Sequence, residues 1–187
     1  QNRLFRSGKT LDLAFRKSQL RLLKGEIINR TKDIEAALYE DLGKGADEAY
    51  MSEIGLVLEA INHQMRHMKV YAGIHQHPVP LSQFPALYET VRIPYGTVLI
   101  MAPWNYPFYL AMVPLVEALA AGNAVVLKTG HAAVATSKVI REIIETVFDP
   151  EYVSVYTEGH EEIEELLEQK FDSIFFTGGK KLGTIVM

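Results

Sequence analysis

Residues 97–176 alternate four short apolar segments with three helical ones, and few folds accommodate that order. Residues 97–101, 123–127, 152–156 and 173–176 are β-rich and apolar on both faces. Between them, residues 108–121, residues 132–148 and an acidic stretch beginning near Glu158 have helical character. Strands without a polar face need cover on both sides, so the order predicts a parallel sheet with helices packed against it. Such a sheet offers ligands the carboxyl ends of its strands.

Ahead of this region the spacing predicts helices. Leu11, Phe15, Leu22 and Leu23 form one stripe. Ile34, Ala37, Leu38 and Leu42 form a second, with Thr31 as N-cap and with Gly43 and Gly45 ending it. A third stripe, Ile54, Leu58, Ile61, Met65, Met68 and Ala72, makes a core seam over about five turns. Pro78, Pro80, Pro85 and Pro94 then forbid a helix, and the alternation from Tyr88 to Ile93 predicts a half-exposed strand in an arm or hairpin that leaves the body.

Composition excludes several classes. The 187 residues contain no cysteine, which removes disulfides, thiolate metal sites and any catalytic thiol from the chain. A chain of this length buries roughly 70 % of its unfolded surface and needs no staple. The glutamates Glu158, Glu161, Glu162, Glu164, Glu165 and Glu168, opposite Ile163, Leu166 and Leu167, read as the solvated face of a short helix. The cations Arg3, Arg6, Lys9, Arg16, Lys17, Arg21, Lys24 and Arg30 likewise read as a wet outer face, not as a contact for nucleic acid or lipid. His63 and His67 are one helical turn apart, and His75 and His77 are close, but neither pair has the remaining ligands of a metal shell, so no metal is expected. The longest apolar stretch, 108–121, is broken by Pro114 and Glu117 and falls short of the ~18–20 residues of a membrane span. Residues 1–10 show no secretory signal, and a cytoplasmic protein is expected.

The strand tips carry the chemistry. The first strand runs into Ala102, Pro103, Trp104, Asn105, Tyr106 and Pro107. Pro107 suits the first turn of a helix, which leaves Trp104 and Asn105 in the loop; the Asn105 amide serves either as a helix cap or as a donor to an oxyanion. Lys128 closes the second strand, within reach of a nucleotide's hydroxyls or phosphate or of plain solvent. The fourth strand leads into Thr177, Gly178, Gly179, Lys180, Lys181, Leu182 and Gly183 before a helical pattern resumes. Strand, glycine turn and helix start together make an anion site. The Gly-Gly-x-x-x-Gly spacing is neither the dinucleotide fingerprint nor a Walker loop.

Three stretches, PYGTVLIMAPWNYP at 94–107, AGNAVVLK at 121–128 and FFTGG at 175–179, closely resemble the NAD(P)-dependent aldehyde dehydrogenase family, in order and spacing over the whole chain. The expected fold is α/β: amino-terminal helices, an incomplete parallel, Rossmann-like sheet with helices on both faces, and a proline-rich extended arm. The resemblance implies that Asn105 stabilises the oxyanion of a tetrahedral thiohemiacetal. It implies that Trp104 and the backbone around Met101 line the cofactor cleft, that Lys128 bonds the adenosine ribose, and that Gly178, Gly179 and Gly183 form the turn near the pyrophosphate. Tyr106 would border the substrate tunnel. NAD or NADP is the implied cofactor, an aldehyde the implied substrate, and a homodimer of the full-length protein the implied assembly.

Two departures from the family pattern carry expectations of their own. The family commonly has Lys-Pro-Ser-Glu where this chain has Lys128, Thr129, Gly130 and His131. The family's glutamate binds ribose hydroxyls, whereas His131 cannot repel a 2′-phosphate and attracts one when protonated, so NADP is expected to be accepted at least as well as NAD. Gly179 stands where serine is frequent. The family's cysteine nucleophile and glutamate base lie beyond the glycine turn, so the chain is expected to be the amino-terminal portion of a longer enzyme and inactive alone. The expected organisation is a helical segment at 1–75, an arm at 76–95 and a partial NAD(P)-binding region at 96–187. Two other readings stay open: an acyl-phosphate reductase of the same superfamily, and a non-catalytic nucleotide-binding or interaction module.

Overall fold

The computed structural model describes residues 1–157 and 159–186. Helices α1 (Asn2–Arg6), α2 (Leu13–Asn29), α3 (Thr31–Leu42) and α4 (Ala46–Ala49) lead into a π-helical turn (Tyr50–Ile54) that continues as α5 (Gly55–Tyr71). A hairpin, β1 (His75–His77) and β2 (Tyr88–Thr90), precedes the alternating region. That region runs β3 (Thr97–Met101), α6 (Pro107–Ala121), β4 (Ala124–Lys128), α7 (Val134–Val147), β5 (Val153–Tyr156), α8 (His160–Leu167), β6 (Ser173–Phe176) and α9 (Lys180–Val186).

Strands β3 to β6 form one parallel sheet in the order β5-β4-β3-β6. Period-two alternation splits the central strand between two cores. Val98 and Ile100 join Phe108, Leu115 and Ile140 of α6 and α7, whereas Leu99 and Met101 join Leu166 of α8, with Val186 of α9 packed against them. Helices therefore cover both faces, and the chain is an α/β protein. Every residue of β3 and β4 is buried, as the apolar runs require. At the edge the expectation fails, because Ile174 and Phe175 of β6 remain 40 % and 47 % exposed.

The helical layer departs from its predicted stripes in instructive ways. In α2 the buried apolar residues are Leu20, Leu23 and Ile27, while Leu22, and Leu11 ahead of the helix, are exposed. Thr31 is the first residue of α3, not its cap, and its hydroxyl donates back to the Ile27 and Ile28 carbonyls at the end of α2. Gly43 ends α3 in the left-handed region, but Gly45 is the residue that opens α4. On α5, Ile61, Met68 and Val57 are buried, and Leu58 and Met65 only partly so. The hairpin forms in antiparallel register, His75 opposite Thr90, yet all of β2 is exposed where half was expected. On α8, Glu164 and Glu165 face solvent opposite Leu166. Glu158 and the side chains of Glu161 and Glu162 lie outside the described residues. Among the described residues no helix is long and apolar enough to cross a membrane.

Arg16 corrects the reading of the amino-terminal cations as a uniformly wet face. Its side chain is buried and donates to the carbonyls of Thr10 (2.6 Å), Leu11 (2.9 Å) and Ala120 (3.2 Å). The guanidinium thereby fastens the start of α2 to the last turn of α6, where carbonyls lack intrahelical partners. Burial lowers its pKa, opposed by Tyr152 and Asp12. Replacing Arg16 by Met strands these acceptors in an apolar environment, and a loss of about 2–3 kcal/mol is expected by urea denaturation. A loss below about 0.5 kcal/mol, the range of an ordinary surface change, contradicts this account.

Candidate functional site

Ladder register brings three strand tips to one level. Met101 stands opposite Lys128 on one side and Phe176 on the other. The hydrogen bonding runs on past the strands: the N–H of Ala102 donates to the Lys128 carbonyl, that of Thr177 to the Met101 carbonyl, and that of Thr129 to the Tyr156 carbonyl. The first residue of each turn is thus held by its neighbour. Successive strands step outward from β3 to β5, and the chain then returns to place β6 on the other side of β3. Open α/β sheets bind ligands at such a reversal.

Most of the sequence-predicted residues meet here. Met101, Trp104, Lys128, His131, Gly178 and Gly179 line one cavity of about 170 Å3, with Leu182 and Ile185 of α9 on its wall. Asn105 opens onto an adjoining cleft of about 450 Å3 that also touches Trp104, Gly178 and Gly179. Gly183 stands behind the Phe176 ring and lines neither space. Tyr106 also lines neither, and its ring instead lies 3.9 Å from the Lys44 ammonium. A further cleft of about 550 Å3, among α2, α5, α6 and residues 92–94, contains none of the predicted residues.

Lys128 does not snorkel to water. It is 2 % exposed, and its Nζ donates to the Thr129 carbonyl at 2.9 Å, so a buried positive charge forms part of the cavity wall. Gly130 follows from a close approach of two backbones. A Cβ there would meet the Pro103 carbonyl carbon at 2.8 Å and the Trp104 nitrogen at 2.9 Å, so only glycine lets the turn after β4 rest on the turn after β3. The His63 ring pairs with the Tyr71 hydroxyl and the His67 ring with the His63 carbonyl. No group of three or more metal-holding side chains occurs among the described residues.

The start of α6 does not use the Asn105 side chain as its cap. Tyr106 occupies the N-cap position, and no side chain of the cap residue bonds the helix. Pro107 has no N–H to satisfy, and Leu110 bonds the Tyr106 carbonyl. The remaining donors, the N–H groups of Phe108 and Tyr109, go to Oε2 of Glu53 at 2.8 and 3.1 Å. The amide positions 107–110 are accounted for without the Asn105 side chain. Glu53 is completely buried, and its Oε1 pairs with the buried Lys44 at 2.5 Å. Sequence reasoning missed both residues. The available signal was phase: Glu53 lies four positions before Val57 and eight before Ile61, on a buried helical face.

A sheet of this order, with its glycine turn and Trp-Asn loop at the reversal, is an open α/β fold, and sequence similarity identifies the family. The sequence matches the aldehyde dehydrogenase family over residues 2–187, and the chain belongs to it. It is 41 % identical over 182 residues to 4,4'-diaponeurosporen-aldehyde dehydrogenase of Staphylococcus aureus, covering 97 % of this chain and 40 % of that protein. It is 38 % identical to aldehyde dehydrogenase family 3 member H1 of Arabidopsis thaliana, covering 99 % of this chain and 38 % of that protein. The solved substrate-bound state of Staphylococcus aureus AldH matches with a TM-score of 0.97 at 40 % identity, over 99 % of this chain and 40 % of that one. A succinic semialdehyde dehydrogenase from Streptococcus pyogenes, solved with NADP+, shares the fold at 18 % identity, with a TM-score of 0.83 over 99 % of this chain and 40 % of that one. The chain spans about 40 % of the length of the curated relatives it matches.

Two glycines at the site separate steric need from mere presence. Gly130→Ala forces the Pro103 and Trp104 backbone to move and is expected to cost about 1–3 kcal/mol. Gly179→Ala, whose Cβ meets nothing within 4 Å, is expected to stay within about 0.5 kcal/mol of the parent. Denaturant midpoints check both, and equal effects would contradict the close approach.

Proposed function

We propose that this chain is the coenzyme-holding and oxyanion-stabilising portion of an enzyme that oxidises an aldehyde to a carboxylic acid with NAD or NADP. The observation that carries the reading is the convergence of Met101, Trp104, Lys128 and Gly178 on one cavity at the strand-order reversal, with Asn105 on the adjoining cleft. Family membership supports it, as do fold neighbours solved with NADP.

The donor set suits a dinucleotide. A buried ammonium at Lys128 offers a hydrogen bond to a ribose hydroxyl, with His131 beside it. Gly178 and Gly179 form a turn whose backbone admits a pyrophosphate, Gly183 lies within the helix that follows and not in the turn, and Met101 and Trp104 supply apolar wall. Met101, Trp104, Lys128 and Gly178 would hold the coenzyme, whose nicotinamide would supply a hydride acceptor. Asn105 donates its amide N–H to the carbonyl oxygen as negative charge develops there, while Tyr106, with its ring against Lys44, is not part of the wall of either space. An amide fixed before the reaction stabilises that charge without reorganisation at the moment it appears. The chain has no cysteine, so the thiolate nucleophile belongs to sequence outside it, and the 187 residues alone are inactive in this reading.

The same reading divides the chain into a helical segment at 1–75, an arm at 76–95 and a cofactor-binding region at 96–187. Leu81, Phe84, Leu87 and Ile93 of the arm are 89 %, 79 %, 84 % and 82 % exposed, an apolar surface that favours a strand exchanged between two copies of a cytoplasmic homodimer. The absent thiol favours, for the chain by itself, a non-catalytic nucleotide-binding module, and activity of the full-length protein decides between the two.

In the full-length protein, aldehyde-dependent production of NAD(P)H is expected, and Asn105→Ala lowers kcat by about a hundredfold or more. Unchanged turnover rejects the role of Asn105. NADP is expected to bind no more weakly than NAD, and His131→Glu to shift the ratio of the two dissociation constants toward NAD through repulsion of the 2′-phosphate. A strong NAD preference in the unmodified protein removes the His131 argument.

A further inference from the structure

We propose that the buried pair of Lys44 and Glu53 is the positioning element of the oxyanion loop, fixing the backbone that carries the Asn105 side chain from a segment more than fifty residues away. The inference rests on the reading of Asn105 given above and extends it to two residues that touch neither substrate nor coenzyme.

One ion pair holds four features across the end of the loop and the start of α6. Glu53 Oε2 takes the N–H groups of Phe108 and Tyr109, and Oε1 takes the Lys44 ammonium. That ammonium also reaches the Asn105 carbonyl at 3.4 Å and sits over the Tyr106 ring at 3.9 Å from its centroid. The peptide that follows Asn105 and the helix start that follows Tyr106 are therefore both tied to the same two side chains. Asn105 itself is exposed, so packing does not hold its side chain, and the position of its backbone is what the pair controls.

Two physical points separate this from ordinary stabilisation. A buried ion pair gains little over well-packed apolar residues once desolvation is counted, whereas its geometry is directional. A local cap from Asn, Ser or Asp at the N-cap position would satisfy the helix amides at lower cost, but would leave Tyr106 and the Asn105 carbonyl unheld. The helix carrying Glu53 also leaves α geometry at that residue: Tyr50–Ile54 forms a π-helical turn, and the Cβ of any larger residue at Gly55 would meet the Tyr50 carbonyl at 2.9 Å. A wide turn of this kind re-aims the residues within it and occurs at functional positions more than elsewhere.

The test uses the full-length enzyme with Lys44→Met, Glu53→Gln, Asn105→Ala and the double variant Lys44→Met with Asn105→Ala. Lys44→Met and Glu53→Gln are each expected to lower kcat by about tenfold or more through misplacement of the amide, with the KM for aldehyde and the dissociation constant for the coenzyme within about twofold of the parent. The double variant is expected to turn over no more slowly than Asn105→Ala, because the pair acts through that side chain. Multiplicative losses in the double variant, or kcat within twofold of the parent in Lys44→Met and Glu53→Gln, overturn the proposal. So does failure of both single variants to give folded, coenzyme-binding protein, which makes the pair a folding requirement. An Asn105→Ala variant of unchanged kcat is a different failure, since it removes the role of Asn105 itself.

Discussion

Ladder register in a fully covered strand pair is the constraint on which the rest depends. β3 and β4 are buried along their whole length, so each of their peptide groups needs a partner within the sheet. A slip of one residue would turn Val98 and Ile100 toward the α8 side and send Leu99 and Met101 into the space filled by α6 and α7. The two faces are lined by side chains of different shape and number, so the register has one solution. That solution sets Met101 level with both Lys128 and Phe176. Convergence of three loops on one cavity follows from how the strands are paired, before any side chain in the loops is considered.

The helical layer completes what the sheet begins by supplying charged groups to helix ends it does not own. Glu53 serves the start of α6, and Arg16 serves its end through the Ala120 carbonyl. Asp41, from the end of α3, accepts from the N–H groups of Ala135 and Thr136 at the start of α7, at 3.1 and 2.7 Å. Each contact places a charge where the helix dipole favours its sign. None is a local cap.

That division explains what could be read from the sequence. Strand segments were legible because β3 and β4 are uniformly apolar, and their bounds shift by no more than a residue: the second expected strand, 123–127, forms as Ala124–Lys128. The Trp-Asn loop and glycine turn were legible through family resemblance, since neither pattern is specific alone. Arg16 and Lys44 were not legible, and Glu53 showed only through its phase with Val57 and Ile61, because periodicity assigns charged residues to the outside and says nothing about carbonyls and amides left over at the end of another helix. The π-helical turn at Tyr50–Ile54 adds a phase shift that a 3.6-residue period cannot represent. The exposed faces of β6 escaped for a related reason. Ser173–Phe176 has the composition of a central strand, and only the pairing order makes it an edge.

Local and borrowed caps also differ in what they couple. A helix capped by its own N-cap residue keeps its first turn when its surroundings shift. α6 has no such residue, so its first turn, and with it the loop that ends at Asn105 and Tyr106, keeps its geometry only while α5 stays seated. The seat of α5 is made by Val57, Ile61 and Met68 within the same core that holds Val98, Ile100 and Phe108. Packing behind the sheet therefore reaches the tip of β3 by two independent routes, the strand itself and the carboxylate of Glu53. Agreement between those routes fixes the backbone at the end of the Trp-Asn loop to a rigid frame.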